Sequence, residues 1–491
     1  MAEASVHGAI HRGSSGDRPN RDKRNRSPLP PSDRISALPD AVIHHIFSFL
    51  PLKDVVKTSV LSKRWRSTWT ATAHLVFPNV RPRDHKRWPS LVENVLLRCA
   101  SPQVKRFDIA HFRYDEAHHP RVDIWLRFAE KRRVEDLHLG FYNPLKVYYK
   151  LPRSLYCLSR LVRLQVSQCC FSLGTSVRWP CLKFLLIKFS ELSDDSLAAI
   201  CRGSPVLESL ELQSCRGVTN IVIDSTSVKE LVLVHPNFLN TGKIWAPHLL
   251  SLRVLGMWHS RSIFKLDEIS SLVEAELDFG ACGDKRMLCD LLKELFEELR
   301  GVSTITIGGR GRWCLQVLFL LKMEGVPSPL SKCQNLTLNA PVSQWNFPGI
   351  ACLLRSSHCL EKLVIHLTGV PQLEFQLDEE SQDHFNFDEE EFLCSRKGNF
   401  EHLRRIEITG SGADSFGSKH LLALIKFLLG NALVLKKLII KAQLPTRHGQ
   451  KRLQAAVLSK LLGVSRNVLN YQRASKDAEV IFDYPFKEMS F

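Results

Sequence analysis

The chain has 491 residues, with 44% hydrophobic and 24% charged residues, values that are ordinary for a soluble folded protein. That length suits several domains or one elongated array of repeats. No apolar run approaches the ~20 residues that a membrane-spanning helix needs, and the first residues lack the apolar core of a secretory signal. Composition thus argues against a membrane or secreted protein, and we expect an intracellular protein in the nucleus, the cytoplasm or both.

The charge of the chain is strongly positive, +17, with an isoelectric point near 9.3. A basic chain can bind nucleic acid, but here the basic residues are dispersed apart from clusters at 21–26 and 81–87. No aromatic-basic module accompanies them, so solvated basic surface is favoured over a nucleic-acid partner, which stays a third interpretation. Residues 1–32 are basic, polar and rich in proline and serine, which predicts a disordered leader.

Fourteen cysteines are scattered along the chain, and no two of them have C-x-x-C spacing. In a reducing compartment such residues are mostly small buried apolar groups. A zinc site has no local pair of ligands to start from, and we expect neither a metal nor another cofactor.

Residues 33–77 are predicted to form three short helices. Five apolar residues recur at three- and four-residue steps, which predicts one apolar face on the first helix: Val42, Ile43, Ile46, Phe47 and Leu50. Pro51 ends that helix, and a second periodic run follows it. Ser62 can cap a third helix that carries Trp65 and Trp69 one turn apart.

A segment of this size cannot bury all of its apolar surface against itself, so the surplus should face a partner or the following domain. From helix spacing alone, a small helical cap over the next domain is an equal alternative. The order of residues resembles the plant F-box motif along its whole length: Leu38-Pro39-Asp40, Ile43, Ile46, Phe47, Leu50-Pro51, Val55, Ser59-Val60-Leu61-Ser62-Lys63-Arg64-Trp65 and Trp69.

In that family the F-box binds a Skp-type adaptor, which connects it to a cullin and hence to ubiquitin transfer. The resemblance implies ten candidate adaptor-binding residues: Leu38, Pro39, Ile43, Ile46, Leu50, Pro51, Leu52, Val55, Val56 and Val60. Aliphatic side chains on short helices can fill an apolar groove, in which a few anchors carry most of the binding energy. Spacing leaves open which of them face the adaptor and which fill the interior of the F-box.

Beyond the F-box, over residues 78–394, a repeated unit of the form apolar-x-x-Leu-x-apolar appears, and two late copies follow it. Its spacing in the first half, about 21 to 30 residues, is that of a leucine-rich repeat or just above it. Cys169-Cys170 and Cys215 stand where such repeats use Asn or Cys. The thirteen copies are centred on Phe107, Leu137, Leu164, Leu185, Leu210, Leu231, Leu252, Ala275, Ile305, Leu336, Leu363, Ile406 and Leu438.

These units predict an α/β solenoid in which each repeat adds one short parallel strand and a helical or irregular return. Helices are predicted over residues 121–133, 194–201 and 290–299. Alternation along the strands leaves a set of polar residues facing solvent, which are candidates for target binding: Arg163, Gln165, Glu211, Glu274, Glu276, Asp278, Asn335 and Asn339. The alternative is that each is only a solvated strand position.

An acidic aperiodic stretch, residues 378–391, predicts a surface loop that interrupts the array. Residues 395–491 follow as a further module. Within it, residues 399–442 predict strand, turn, helix and strand, and together with residues 474–482 they resemble the FBD module at the C-terminus of many plant F-box proteins. That resemblance implies a cap on the open end of the solenoid.

Signatures of an active site are missing. The turn Gly417-Ser418-Lys419 has serine where a phosphate-binding loop needs lysine directly after glycine. His44 and His45 have no carboxylate or cysteine at ligand spacing, and no hydrolase, metalloprotease or cysteine-protease motif is present.

The sequence therefore predicts a substrate receptor of an SCF-type cullin ubiquitin ligase without an active site of its own. Its partners would be a Skp-type adaptor, a cullin through that adaptor, and an unknown target protein. The alternative is a leucine-rich-repeat scaffold that binds a partner without ligase assembly.

Overall fold

The structure is a computed structural model that describes residues 35, 37–77, 86–171, 176–236, 242–259, 264–282, 293–308, 330, 332–340, 342, 347–367, 400–410, 416–443 and 451–483. The predicted leader over residues 1–32 and the predicted acidic loop over residues 378–391 lie outside these residues.

Three short helices open the described chain, as the sequence predicts: α1 Asp40–Ser48, α2 Leu52–Lys57 and α3 Trp65–Thr68. Pro39 and Pro51 each directly precede a helix, with φ values of −60° and −58° that suit a helix start. The Oγ of Ser62 accepts a hydrogen bond of 3.4 Å from the backbone N–H of Trp65, in agreement with its predicted capping role.

One parallel sheet of fifteen strands runs through the rest of the described chain. With strands numbered in chain order, it consists of β1 His74–Phe77, β2 Arg106–Arg113, β3 Asp136–Tyr142, β5 Arg163–Ser167, β7 Phe184–Lys188, β8 Ser209–Gln213, β10 Glu230–Val234, β12 Ser251–His259, β14 Glu274–Cys282, β15 Thr304–Gly308, β16 Asn335–Asn339, β17 Lys362–Leu367, β18 Arg405–Gly410, β19 Lys437–Ala442 and β20 Glu479–Asp483. Every predicted repeat unit lies in one of these strands, and the strands pair in chain order. The predicted parallel solenoid is confirmed.

Two smaller parallel sheets lie in the return segments. They are formed by β4 Tyr149–Lys150 with β6 Cys169–Cys170, and by β9 Asn220–Val222, β11 Gly242–Trp245 and β13 Phe264–Asp267. The prediction of helical or irregular returns is wrong for these repeats. Ile221, Ile244 and Phe264 are buried in the core, so a strand covers it here where other repeats use a helix.

Further helices in the described part of the chain are α4 Trp88–Arg98, α5 His119–Lys131, α6 Asp194–Gly203, α7 Phe347–Ser356, α8 Lys419–Asn431 and α9 Lys451–Leu469. Helices α5 and α6 confirm two of the predicted helices. The third predicted helix covers residues 290–299, and residues 293–298 of it are helical in the structure. The N-terminus of α6 is capped by Ser193, whose Oγ accepts from the backbone N–H of Ser196 at 3.2 Å.

The core lies between the large sheet and these returns. Along β5, Leu164 and Val166 are buried while Arg163, Gln165 and Ser167 are exposed or half-buried, and the same alternation recurs in β8 and β16. The period of two in the sequence therefore separates a core face from an open face, as predicted.

Both predicted boundaries of the array need correction. Residues 74–77, assigned to the F-box, form β1 and pair with β2. Strands β18, β19 and β20, assigned to a separate FBD-like module, continue the same sheet in parallel. These strands therefore extend the sheet at the end of the solenoid where the sequence predicted a cap.

Turns after consecutive strands share a left-handed backbone residue. Gln168, Phe189, Ser214 and His235 directly follow their strands and have φ between 46° and 52°, and Gly256, with φ of 104°, holds the equivalent position inside the longer strand β12. The backbone N–H of each of the first four donates to a carbonyl of the next repeat at 2.8 to 3.0 Å. These bonds offset the steric cost that a side chain carries in this conformation.

We predict that Asp194→Ala destabilises the protein more than Asp195→Ala, although both remove a carboxylate from the first turn of α6. The Asp194 carboxylate accepts from the backbone N–H groups of Thr219 and Asn220 at 2.7 and 3.0 Å, and from the Thr219 hydroxyl. Losing these bonds should cost about 1 to 3 kcal/mol.

Asp195 is exposed, and Asp195→Ala should change stability by no more than about 0.5 kcal/mol. Urea unfolding followed by circular dichroism measures both changes. Equal shifts in midpoint would show that Asp194 acts only through the helix dipole.

Candidate protein-binding surfaces

The F-box helices contribute buried residues to an apolar core that continues into the sheet. Ile43 and Phe47 of α1 pack with Leu52 and Val55 of α2, and all four are at most 2% exposed. The ring of Trp65 meets that of Phe47 edge-on, with centroids 5.7 Å apart. Helix α2 also contacts β1, so the F-box packs directly on the first strand of the sheet.

Helix α1 carries two apolar faces, which corrects the single predicted face. Ile43 and Phe47 point into the core, whereas Val42 and Ile46 lie on the outer side and are 41% and 37% exposed. Steps of three and four residues spread over a wide arc of a helix, so the pattern alone did not separate the inner residues from the outer ones.

The ten predicted adaptor residues divide into three groups in the structure. Ile46, Pro39, Pro51 and Val60 are exposed, with Val60 at 85%. Leu38, Leu50 and Val56 are half-buried against the core. Three are buried and therefore do not belong to an adaptor surface, because their side chains hold the F-box together: Ile43, Leu52 and Val55.

Sequence reasoning missed four exposed apolar residues of this region. They are Ile35, Val42, Phe49 and Leu61, of which Phe49 is the most exposed at 74%. Phe49 lies three residues after Ile46 and directly before Leu50-Pro51, a spacing that could have identified it. We call the exposed apolar residues Val42, Ile46, Phe49, Val60 and Leu61 the outer F-box surface.

The open face of the sheet carries all eight predicted target-binding residues as exposed or half-buried side chains. Four of them lie on two strands that β10 and β12 separate: Glu211 on β8, and Glu274, Glu276 and Asp278 on β14. Arg163 lies two strands before β8, where its guanidinium stacks 4.2 Å from the ring centre of Phe184. Asn335 and Asn339 lie on β16, two strands beyond β14.

Strands β10 and β12 contribute two charged residues that the prediction omitted, Glu230 and Arg253. The Nε of Arg253 donates to Glu276 at 2.5 Å, and the hydroxyl of Ser209 donates to Glu230 at 2.7 Å. The bond to Glu276 raises the pKa of Arg253, and the charges of Glu230 and Glu211 add to this rise. The alternation that identified Glu211 also marks these two positions.

Near the F-box end, the open face holds a buried carboxylate. Asp108 of β2 is 5% exposed, accepts from Arg106 at 2.7 Å and lies 2.9 Å from the Nδ1 of His138. Burial alone would raise the pKa of Asp108, but the bonds from His138 and Arg106 outweigh it and hold that pKa below its usual value. Asp136 lies 3.7 Å from Arg106, and burial dominates there and raises the pKa of its carboxyl.

Several cysteines belong to the core. Burial raises the pKa of Cys201 and Cys333 to about 11 and that of Cys215 to about 12, so these thiols stay protonated at neutral pH. Cys169 is fully buried and its pKa is raised for the same reason.

The described part of the chain shows no group of three His, Cys, Asp or Glu side chains arranged to hold a metal ion. Within the same residues, none of the helices combines the length and apolar character needed to cross a bilayer.

Comparisons with known proteins match both parts of this architecture. Residues 35–72 match the F-box domain family, and residues 122–269 match the family described as FBD-associated F-box protein At5g56370, LRR repeats. The F-box/LRR-repeat protein At5g02910 of Arabidopsis thaliana is 34% identical over 342 residues, which cover 68% of this chain and 72% of the relative. F-box/LRR-repeat protein At3g03360 of the same plant is 32% identical over 359 residues, covering 69% and 71%.

We predict that Asp108→Asn lowers stability at neutral pH by about 1 to 3 kcal/mol, because Arg106 and His138 lose a charged partner in a buried position. The pKa of Asp108 is lowered in the folded protein. Its contribution is therefore fully present above the usual aspartate pKa of about 3.9, and is lost as pH falls through the lower folded value.

Thermal unfolding of wild type and variant between neutral pH and about pH 3 measures this difference. The stability gap should narrow only in the acidic part of that range. A stability difference between wild type and variant that stays constant over the whole pH range would show that the charge of the Asp108 carboxylate does not supply this stability.

Proposed function

This chain belongs to the plant F-box/LRR-repeat family, and we propose that it is the substrate-recognition subunit of an SCF-type cullin ubiquitin ligase. The F-box binds a Skp-type adaptor, which connects the chain to a cullin, and the open face of the sheet binds a target protein. We place the complex inside the cell, in the nucleus, the cytoplasm or both.

The outer F-box surface carries this proposal. Five apolar side chains are left exposed on a domain whose own core is already filled by Ile43, Phe47, Leu52, Val55 and Trp65. Exposed aliphatic and aromatic side chains on short helices are the anchors with which a helical module fills a partner's groove. The helical-cap alternative would bury these side chains against the sheet.

Contacts between the F-box and the sheet support a role in positioning. The carbonyl of Ala73 accepts from the backbone N–H groups of Lys105 and Arg106 at 2.8 and 3.1 Å, and the carbonyl of Thr70 accepts from Ala100 at 2.8 Å. The F-box therefore joins β1 without a flexible linker. A target on the sheet would be held at a fixed position relative to the adaptor.

In this mechanism the chain raises the local concentration of a target lysine beside the ubiquitin-carrying enzyme. The chain itself supplies binding surfaces and no reacting group. The thiols of Cys201, Cys215 and Cys333 fit this role, because burial raises their pKa and a nucleophilic cysteine needs a lowered one.

We predict that Val60→Lys weakens binding to a Skp-type adaptor by at least about tenfold, because it places a charge in an apolar contact. Leu145→Lys is the matched control. Leu145 is 83% exposed, close to the 85% of Val60, and lies outside the F-box. It should bind the adaptor like wild type in a pull-down or by calorimetry with the purified proteins.

Equal binding by wild type and Val60→Lys would remove the outer F-box surface as the adaptor site.

Gel filtration of the chain and adaptor with a cullin then tests the ligase itself. Co-elution of all three proteins is expected, whereas a chain that binds neither adaptor nor cullin would be a leucine-rich-repeat scaffold.

A further inference from the structure

We propose that the open face over β8, β10, β12 and β14 docks a segment of the target protein in which pairs of lysine or arginine residues alternate with pairs of aliphatic ones. This inference rests on the proposed function, because it specifies the chemistry of the target that the receptor would hold. We call this part of the open face the central patch. Its residues are Glu211, Val232, Val234, Glu230, Arg253, Leu255, Glu274, Glu276 and Asp278.

The charge of the central patch is negative. Five carboxylates stand against one guanidinium, which gives a local charge of −4, whereas the whole chain carries +17. The patch therefore does not follow from the average composition of the chain. A cationic segment is attracted to this negative patch on a chain whose net charge is positive, so charge complementarity favours a basic partner at this position.

The strand register sets the shape of the patch. Glu230, Ser251 and Glu274 form one row across the sheet, and Val232, Arg253 and Glu276 form the next. Glu211 precedes Val232 in that second row. Because neighbouring strands lie about 4.8 Å apart, Glu211 and Glu276 are separated by roughly 14 Å. Val232 and Arg253 lie between them in this row.

Apolar side chains form the centre of the patch. Val232 is buried, and Val234 and Leu255, which are register partners on β10 and β12, are half-buried. An aliphatic ligand side chain, or the methylene stem of a lysine or arginine, can lie on these residues while its charged end reaches a carboxylate. A segment in which pairs of cationic residues alternate with pairs of aliphatic ones presents both kinds of side chain to the sheet when it is extended, and it therefore matches this arrangement.

Two carboxylates are available for such a ligand. Arg253 binds Glu276 and Ser209 binds Glu230, whereas Glu211 and Glu274 form no hydrogen bond or ion pair within the described residues. Glu274 is exposed and Glu211 is half-buried. A ligand cation therefore gains a partner at these two positions without displacing an existing bond.

The test uses the full chain and a fluorescein-labelled peptide of about twelve residues, which exceeds the roughly five extended residues needed to cross these four strands. Pairs of lysine or arginine alternate with pairs of valine or alanine in this peptide, and in a second peptide glutamate replaces every basic residue. Fluorescence anisotropy near physiological ionic strength measures binding. The basic peptide should bind, more weakly at higher salt, and the acidic peptide should not.

The variant Glu211→Gln with Glu274→Gln removes the two available carboxylates. Asp195→Asn with Glu401→Gln is the matched control, since both residues are exposed and lie off the central patch. Both double variants change the net charge from +17 to +19. The first should weaken binding of the basic peptide by about fivefold or more, and the second by less than about twofold.

Equal weakening in both variants, no binding of the basic peptide, or tighter binding of the acidic peptide would overturn the proposal. Capture by the Skp-type adaptor is measured on the same preparations and should be unchanged in both. A wild-type chain that fails to bind the adaptor would overturn the ligase function alone, whereas normal adaptor binding with no peptide preference would overturn only this inference.

Discussion

A single backbone carbonyl in each repeat ties that repeat to the next one, and the rest of the structure depends on this bond. In most repeats the carbonyl of the residue just before a strand accepts two N–H groups, from the residue just before the next strand and from the first residue of that strand. The carbonyls of Val273 and Lys436 each accept one, from Thr304 and Glu479. Glu135, for example, accepts from Val162 and Arg163 at 2.7 and 3.0 Å, and Glu208 accepts from Lys229 and Glu230 at 2.8 and 3.1 Å. The start of each strand is thereby fixed, and with it the register that aligns the apolar side chains of neighbouring repeats in one core.

The same kind of hydrogen bond recurs from the end of the F-box region to the C-terminal strands. Ala73 makes it with β2 directly after the F-box, and Arg404 makes it with Lys436 and Lys437 near the other end. No repeat buries its apolar residues alone, so the stability of each depends on its neighbours. For a receptor whose contribution is position, this continuity matters, because a flexible joint between F-box and sheet would dilute the effective concentration of a bound target.

The sequence predicted the sheet because its signal is repeated. A period of two around Leu164 or Leu210 is weak alone, but the same spacing along the chain identified thirteen of the fifteen strands of the large sheet. The signal failed where an element is short or out of phase. Strand β9 has only three residues, too few for a periodic pattern, and β1 follows the F-box so closely that its residues were assigned to that domain. The strands in the return segments and the direct connection of the F-box to β1 depend on how the repeats pack together. The local sequence therefore carries little signal for either feature.

For the candidate surfaces too, the sequence identified some residues and only the structure identified the others. Alternation placed Glu211 and Glu276 on the open face correctly, but only the register shows that Glu230 and Arg253 lie between them. In the F-box, spacing could not separate residues that hold the domain together from those left for a partner, since α1 uses both of its apolar faces. Ile43 and Ile46 are only three residues apart, but Ile43 is buried in the core and Ile46 is exposed to solvent.

This sharing of one short helix constrains how the adaptor surface can vary. A substitution at a half-buried position such as Leu50 changes the core and the surface together, because its side chain packs on the first and borders the second. Val60 and Phe49 contribute almost nothing to the core, since they are 85% and 74% exposed, although the ring of Phe49 meets that of His45 edge-on with centroids 5.0 Å apart. Exposed large apolar side chains lower solubility without stabilising the fold. Their concentration on one small domain therefore argues for a protein partner that covers them.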